Sequence, residues 1–330
     1  MNLIQRTIRR VDVIQQRTPP AAFLWAVMKK FGNDSAGSLA ALVAYYGFLS
    51  LFPLLLVLIT VLGLVVTPAT ATKVIHSAIS QFPIVGSQLT GPGGIHALKA
   101  GSAVGLVIGI LGLVWGSLGI CQAGQNAMAR VWNVPTVDRP GYLPKLGRSV
   151  GFLVVLLLDV VVTTVLAGIA TFGGQAWYSR VGAGIVTVLV DAGLYVLAFR
   201  ILTPKVVRTA ELVLGASVAG VAWAILQLVG TSLVGHQLKH SGQIYGYFGS
   251  ILGLLAFLYM AAEITMYAAE LNVVRVRKLY PRSLMPPPLT EADRRVLTAL
   301  VKQEARRPEQ EVEVGFAAPA AAPAAAAPAA

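Results

Sequence analysis

Four carboxylates interrupt otherwise apolar stretches of this chain: Asp159, Asp191, Glu263 and Glu270. Glu263 and Glu270 stand seven residues apart in "AAEITMYAAELN", residues 261–272. Seven residues is nearly two helical turns, so both acids project from about one face. An ionised carboxylate without a counter-charge costs about 2.5 kcal/mol or more in hydrocarbon. It persists there in one of three ways: protonated, bound to a proton or cation, or facing a wet cavity. Each way places it inside a helix bundle. The structural alternative is a neutral, hydrogen-bonded acid that ties neighbouring helices together through Tyr, Ser or Gln. Both readings stay open here.

The elements that must hold these acids follow from composition. Of the 330 residues, 56% are hydrophobic and 12% charged, with a mean hydropathy of +0.71. Soluble domains carry about 25% charged residues. The apolar residues gather in six blocks, near 39–66, 101–128, 150–172, 181–202, 212–234 and 247–272. Each is long enough for the roughly 20 residues that cross a bilayer as a helix. Backbone groups in lipid must be satisfied within the segment, and no alternating strand pattern is seen. The expected fold class is all-α, a polytopic membrane bundle of six transmembrane helices.

Charge sets the orientation. The formal net charge is +12, yet of the 26 lysines and arginines only Lys73, Lys99, Arg180 and Lys239 fall in the alternate loops. This bias places both termini in the cytoplasm. The basic excess reads as a topology signal that also meets anionic lipid, and nucleic acid is not an expected partner. Apart from Arg200 at the end of the fourth, no lysine or arginine falls inside a block. Glu263 lies twelve residues before Arg275, Asp159 eleven after Arg148 and Asp191 nine before Arg200. At about 1.5 Å per residue all three sit about 14–18 Å deep, near the bilayer middle. Glu270 is expected at the cytoplasmic edge, in a positioning salt bridge beside Arg275 and Arg277.

Four regions follow: an N-terminal cytoplasmic segment (1–35), the membrane domain (36–275), a basic cytoplasmic tail (276–310) and an Ala/Pro-rich, disordered end (311–330). Residues 1–18 carry four arginines and no continuous apolar core, which excludes a signal peptide. "PAAFLWAVMKKF", residues 20–31, reads as a helix on the inner membrane surface, with Phe23, Leu24, Trp25 and Val27 toward lipid. "NDS", residues 33–35, caps the first block. Val74, Ile75, Ala78, Ile79 and Phe82 suggest an outer amphipathic helix, broken by "GPGG" at 91–94. "TEAD", residues 290–293, opens a short tail helix. The lone cysteine, Cys121, is a packing residue.

No catalytic residue, metal site or cofactor is expected. His236 and His240 have an i,i+4 spacing, but no carboxylate or cysteine stands near to complete a metal site. His76 and His96 fall in an outer loop.

Three motifs remain. "LVAYYGFLSLFPLLLVL", residues 42–58, holds Tyr45 and Pro53, which should kink the first block. "WGSLGICQAGQNAMARVWNV", residues 115–134, sets small residues and amides, Asn126 among them, on the second. "SGQIYGYFGSILG", residues 241–253, offers Gly242, Gly246 and Gly249 for close helix approach. Together these resemble the YihY/BrkB family of bacterial inner-membrane proteins, once labelled ribonuclease BN. The resemblance covers about residues 20–285. It runs in order through Tyr45, Tyr46, Ser50, Phe52 and Pro53; Trp115, Asn126 and Trp132; Gly242, Ile244, Tyr245, Gly246, Gly249 and Ser250; Glu270 and Asn272. It implies six helices and a cytoplasmic-membrane location. The nuclease label fails on chemistry: hydrolysis of RNA needs an acid and base or a metal cluster in a wet site, and the histidines lie outside.

The expected function is transporter-like, moving a lipid or amphiphilic solute, linked to a proton or cation through Glu263, Asp159 and Asp191. Glu270, Asn272, Tyr45 and Asn126 complete the candidate polar site. The alternative is a membrane scaffold for cell-envelope assembly or resistance, with the tail recruiting partners. Expected partners are membrane lipids, the lipid or small-solute substrate and a second copy of the chain.

Overall fold

The computed structural model describes residues 3–65, 103–172, 177–237 and 246–317. Among these residues the chain is helical, without strands. Two short helices lead: α1 (Leu3–Arg17) and α2 (Pro19–Asn33). Six long ones follow: α3 (Ala36–Val65), α4 (Ala103–Val131), α5 (Tyr142–Phe172), α6 (Trp177–Leu202), α7 (Thr209–Gln237) and α8 (Gly246–Val276). A last short helix, α9 (Glu291–Lys302), closes the set. Each expected apolar block is thus one helix. Gly184–Leu202, Thr209–Gly230 and Ile251–Val276 are long and apolar enough to cross a membrane, and Ala36–Leu51 is a shorter apolar stretch. The expected outer helix at 74–82, the breaker at 91–94, His76, His96, His240, Gly242, Ile244, Tyr245 and the chain end from 318 lie outside the described residues.

Helix α8 is the hub. It packs on α3, α7, α2 and α4, while α3 pairs with α4 and α6 with α7. Two glycines let α7 seat between α6 and α8. A Cβ at Gly220 would stand 2.7 Å from the Ala192 backbone nitrogen on α6. A Cβ at Gly215 would overlap the Ala268 carbonyl and the Asn272 amide on α8. Real Cβ atoms do not approach backbone that closely, so only glycine permits these crossings. Helix α3 runs on through Pro53.

The helix ends are set by local chemistry. Pro19 and Pro20 open α2, where the missing N–H groups cost nothing. Asn133 (φ 46°) and Lys278 (φ 51°) turn left-handed just after α4 and α8. There the Val134 N–H donates to the Ala129 carbonyl at 2.9 Å, and the Leu279 N–H to the Val274 carbonyl at 3.0 Å. The expected capping box opens α9: Asp293 N–H donates to Thr290 Oγ1 at 3.1 Å, and the Asp293 carboxylate accepts from Thr290 N–H.

Two expectations change. Helix α2 turns Val27 inward, not outward: Ala22, Ala26, Val27 and Lys30 are buried, leaving Leu24 and Met28 exposed. Its apolar residues cover the C-terminal end of α8, which is longer than a bilayer core needs. Residues 3–17, assigned no element from sequence, form α1.

The tail is folded onto the body. Arg282 Nε donates to Asp293 Oδ1 at 2.9 Å, and Lys29 Nζ of α2 reaches the same oxygen at 2.9 Å. Asp12 of α1 accepts from the Leu284 N–H at 3.0 Å and from Ser283 Oγ at 3.3 Å. The Thr136 N–H donates to the Gln303 carbonyl at 3.1 Å. This clasp joins α1, α2, the turn after α4 and the tail at one end of the bundle.

Candidate functional site

The structure divides the predicted acids among three places. The first surrounds Glu270. Its side chain is fully buried and pairs with Lys30 at 3.1 Å, also fully buried. Lys30 also pairs with Asp34, four residues on, and donates to the Val131 carbonyl at 2.8 Å. Two carboxylates thus share one ammonium in a closed site. Asp34 Oδ1 makes no hydrogen bond. The expected partners of Glu270 are corrected: Arg275 is exposed, and Arg277 donates to the Trp132 carbonyl at 2.5 Å while stacking over its ring. Both arginines lie beyond Glu270 along the chain, whereas α2 brings Lys30 straight across to it.

Asn272 stands half a turn on. Its Oδ1 accepts from the Gly215 N–H at 2.7 Å and its Nδ2 donates to the Leu212 carbonyl at 3.0 Å. It is a buried bolt between α7 and α8.

The second place holds Glu263. It is half-buried beside Tyr259, whose hydroxyl bonds to its carboxylate. A Cβ at Gly37 would lie 3.5 Å from that hydroxyl and 4.0 Å from Glu263 Oε1. Gly37 is the second residue of α3, so Glu263 stands level with the start of the α3 apolar block, not half-way along it. Along α8 itself, Glu263 falls near the middle of Ile251–Val276, the stretch apolar enough to cross a membrane.

The third place brings together Asp159 of α5 and Asp191 of α6, which interact electrostatically. Tyr195, one turn from Asp191, feels both charges and bonds to the Thr265 side chain of α8. Asp191 is buried and Asp159 half-buried. The register is that of antiparallel neighbours: Arg148 and Arg200 also act on each other at the ends of the same two helices. Sequence reasoning named both acids but missed Tyr195, Thr265, Lys30 and Asp34. The i,i+4 spacing of Lys30 and Asp34 was the available signal for the last two.

The other predicted residues lie apart. Tyr45 is exposed and meets Tyr46 edge-on, ring centroids 5.4 Å apart. Asn126 is exposed and lines a shallow pocket with Arg139, Lys145 and Arg148. Gly246 begins α8 and Gly249 lies in its first turn. Among the described residues no group of three or more His, Cys, Asp or Glu could hold a metal ion.

In the clasp, burial acts to raise the Asp293 carboxyl. Lys29, the Ser283 N–H and Arg282 outweigh it and hold the group at about 2. Cys121 is fully buried.

The chain is similar to the inner membrane protein YhjD of Escherichia coli (strain K12), 24% identical over 293 residues, covering 77% of this chain and 81% of that one. No solved structure matches it. The family model described as "Virulence factor BrkB" matches residues 27–289, and that span takes in every long helix. This chain belongs to the BrkB family of membrane proteins.

Proposed function

We propose that this protein is a six-span transporter-like protein of the bacterial inner membrane, with both termini cytoplasmic, that moves a lipid or amphiphilic solute and is linked to a proton or cation through Asp159 and Asp191. The observation that carries the reading is that Asp159 of α5 and Asp191 of α6 lie near enough for the charge of Asp191 to act on Asp159. Two carboxylates that feel each other among apolar helices favour taking up a proton or cation. Such a pair changes charge when its guest leaves, which is what coupling requires. Tyr195 and Thr265 tie that pair to α8, so a change of charge would be felt at the hub helix. The clasp supports an even number of crossings, because α1 and α2 meet the tail at one end.

The test uses proteoliposomes holding purified protein and a fluorescently labelled phosphatidylglycerol. Dithionite quenching reads its movement between leaflets, with and without a pH or sodium gradient. Movement above protein-free vesicles, quickened by one gradient and insensitive to it in Asp191→Asn, is expected. Movement equal to protein-free vesicles overturns the lipid reading. Movement whose gradient response survives Asp159→Asn and Asp191→Asn overturns the role of the pair.

A further inference from the structure

The pocket beside Asn126 is far from the acid pair and has its own chemistry. It is formed where α4, the turn after it, the start of α5 and the end of α6 converge. Its lining includes Arg139, Lys145 and Arg148 together with the amides Gln125 and Asn126. Two more cations press on it: Arg130 acts on Arg139, and Arg200 on Arg148. Among the described residues no salt bridge joins Arg139, Lys145 or Arg148 to a carboxylate. The nearest acid influence is Glu304, felt by Arg139 at longer range.

Like charges gathered without counter-charges repel, and an anion among them removes that cost. Arg139 is held in place rather than swinging free, since its Nε and Nη2 both donate to the Val134 carbonyl at 3.2 Å. Gln125 adds a second, independent feature. It is 4% exposed, and its Nε2 donates to Cys121 Sγ at 3.1 Å and the Lys145 carbonyl at 3.3 Å. Its Oε1 is buried with no hydrogen-bond partner. A buried acceptor left open costs about 1–3 kcal/mol and calls for a donor. A guest that suits the pocket therefore brings a negative group for the cations and a hydroxyl for Gln125. Height matters too. Arg148 and Arg200 stand where the apolar residues of α5 and α6 meet polar sequence, the level of lipid phosphates.

We infer that the pocket of Arg139, Lys145, Arg148 and Gln125 binds a phosphate group, that of a hydroxylated anionic lipid headgroup or of a free phosphate. The inference does not depend on transport: the site can hold a resident lipid as well as a substrate.

The experiment uses full-length protein in a neutral detergent. Dioleoylphosphatidylglycerol, dioleoylphosphatidylcholine and inorganic phosphate are titrated at matched ionic strength, and affinity and thermal midpoint are read. Each surface cation near a phosphate contributes about fivefold in affinity. The triple variant Arg139→Gln, Lys145→Gln, Arg148→Gln should weaken phosphatidylglycerol by about a hundredfold. The exposed control Arg295→Gln, Arg306→Gln should not change it. If the triple variant does not fold, Lys145→Gln alone should weaken binding about fivefold. Phosphatidylglycerol binding above phosphatidylcholine assigns the site to a lipid headgroup. Phosphate matching phosphatidylglycerol assigns it to the free anion. Equal loss in the control variant, or no ligand bound better by wild type than by Lys145→Gln, overturns the site.

Discussion

Lys30 of α2 meets Glu270 of α8 at 3.1 Å, and neither side chain touches solvent. The residues are distant in sequence, and each is the other's counter-charge. Asp34 shares the same ammonium, so two buried carboxyl groups stand against one cation.

That arithmetic predicts an asymmetry. Glu270→Gln leaves the Lys30–Asp34 pair balanced and should cost under about 1 kcal/mol. Lys30→Met leaves two buried carboxylates facing each other and should cost about 3–5 kcal/mol. Thermal unfolding in detergent measures both. Equal losses would show that the site does not count charge in this way.

Asn272 and Gly215 form one joint. Asn272→Ala removes the bonds to the Gly215 N–H and the Leu212 carbonyl, at a cost of about 1–3 kcal/mol. Gly215→Ala drives a methyl into the Ala268 carbonyl and the Asn272 amide. It should cost about as much by forcing α7 from α8. A double variant should lose less than the sum, since both changes break the same contact. Strict additivity would argue against a shared joint.

Asp293 makes the clasp sensitive to acid. Its ordinary value of 3.8 is lowered to about 2 in the folded chain. A lowered carboxyl stabilises the folded form above its unfolded value, so the contribution is complete above about pH 4 and fades as pH falls toward about 2. The effect is on the order of 2 kcal/mol. Proteolysis of the tail between pH 5 and pH 2.5 should accelerate in wild type. In Asp293→Asn the tail should already be loose at pH 7 and show little further pH response. A wild-type tail equally resistant throughout would refute the link.

Cys121 is fully buried between helices. A maleimide should leave it unmodified in folded protein and label it on denaturation. Rapid labelling of the native form would contradict its packing.

Much of the fold was legible because apolar blocks and turn chemistry are local. The six blocks became six long helices, and "TEAD" became a capping box. The site was legible only in part. Composition marked Asp159 and Asp191, and helical counting put them at matching heights. It also put Glu263 midway along its apolar stretch, as in Ile251–Val276, but gave no sign that the first turn of α3 packs beside it. It mispaired Glu270 because proximity along the chain favoured Arg275, whereas the true partner comes from a helix some 240 residues away. Long-range pairing leaves no trace in local spacing, and the same blindness hid Tyr195 and Thr265.

The clasp has a consequence for biosynthesis. Asp12 and Leu284 are 272 residues apart in the chain yet hydrogen-bonded. Synthesis runs from the N-terminus, so Asp12 and Lys29 leave the ribosome long before Ser283 and Asp293 exist. All the long helices must be made before these early groups find their partners. A chain ended before Ser283 would leave Lys29 and Asp12 without these partners. Closure of the clasp therefore reports that synthesis has passed Asp293.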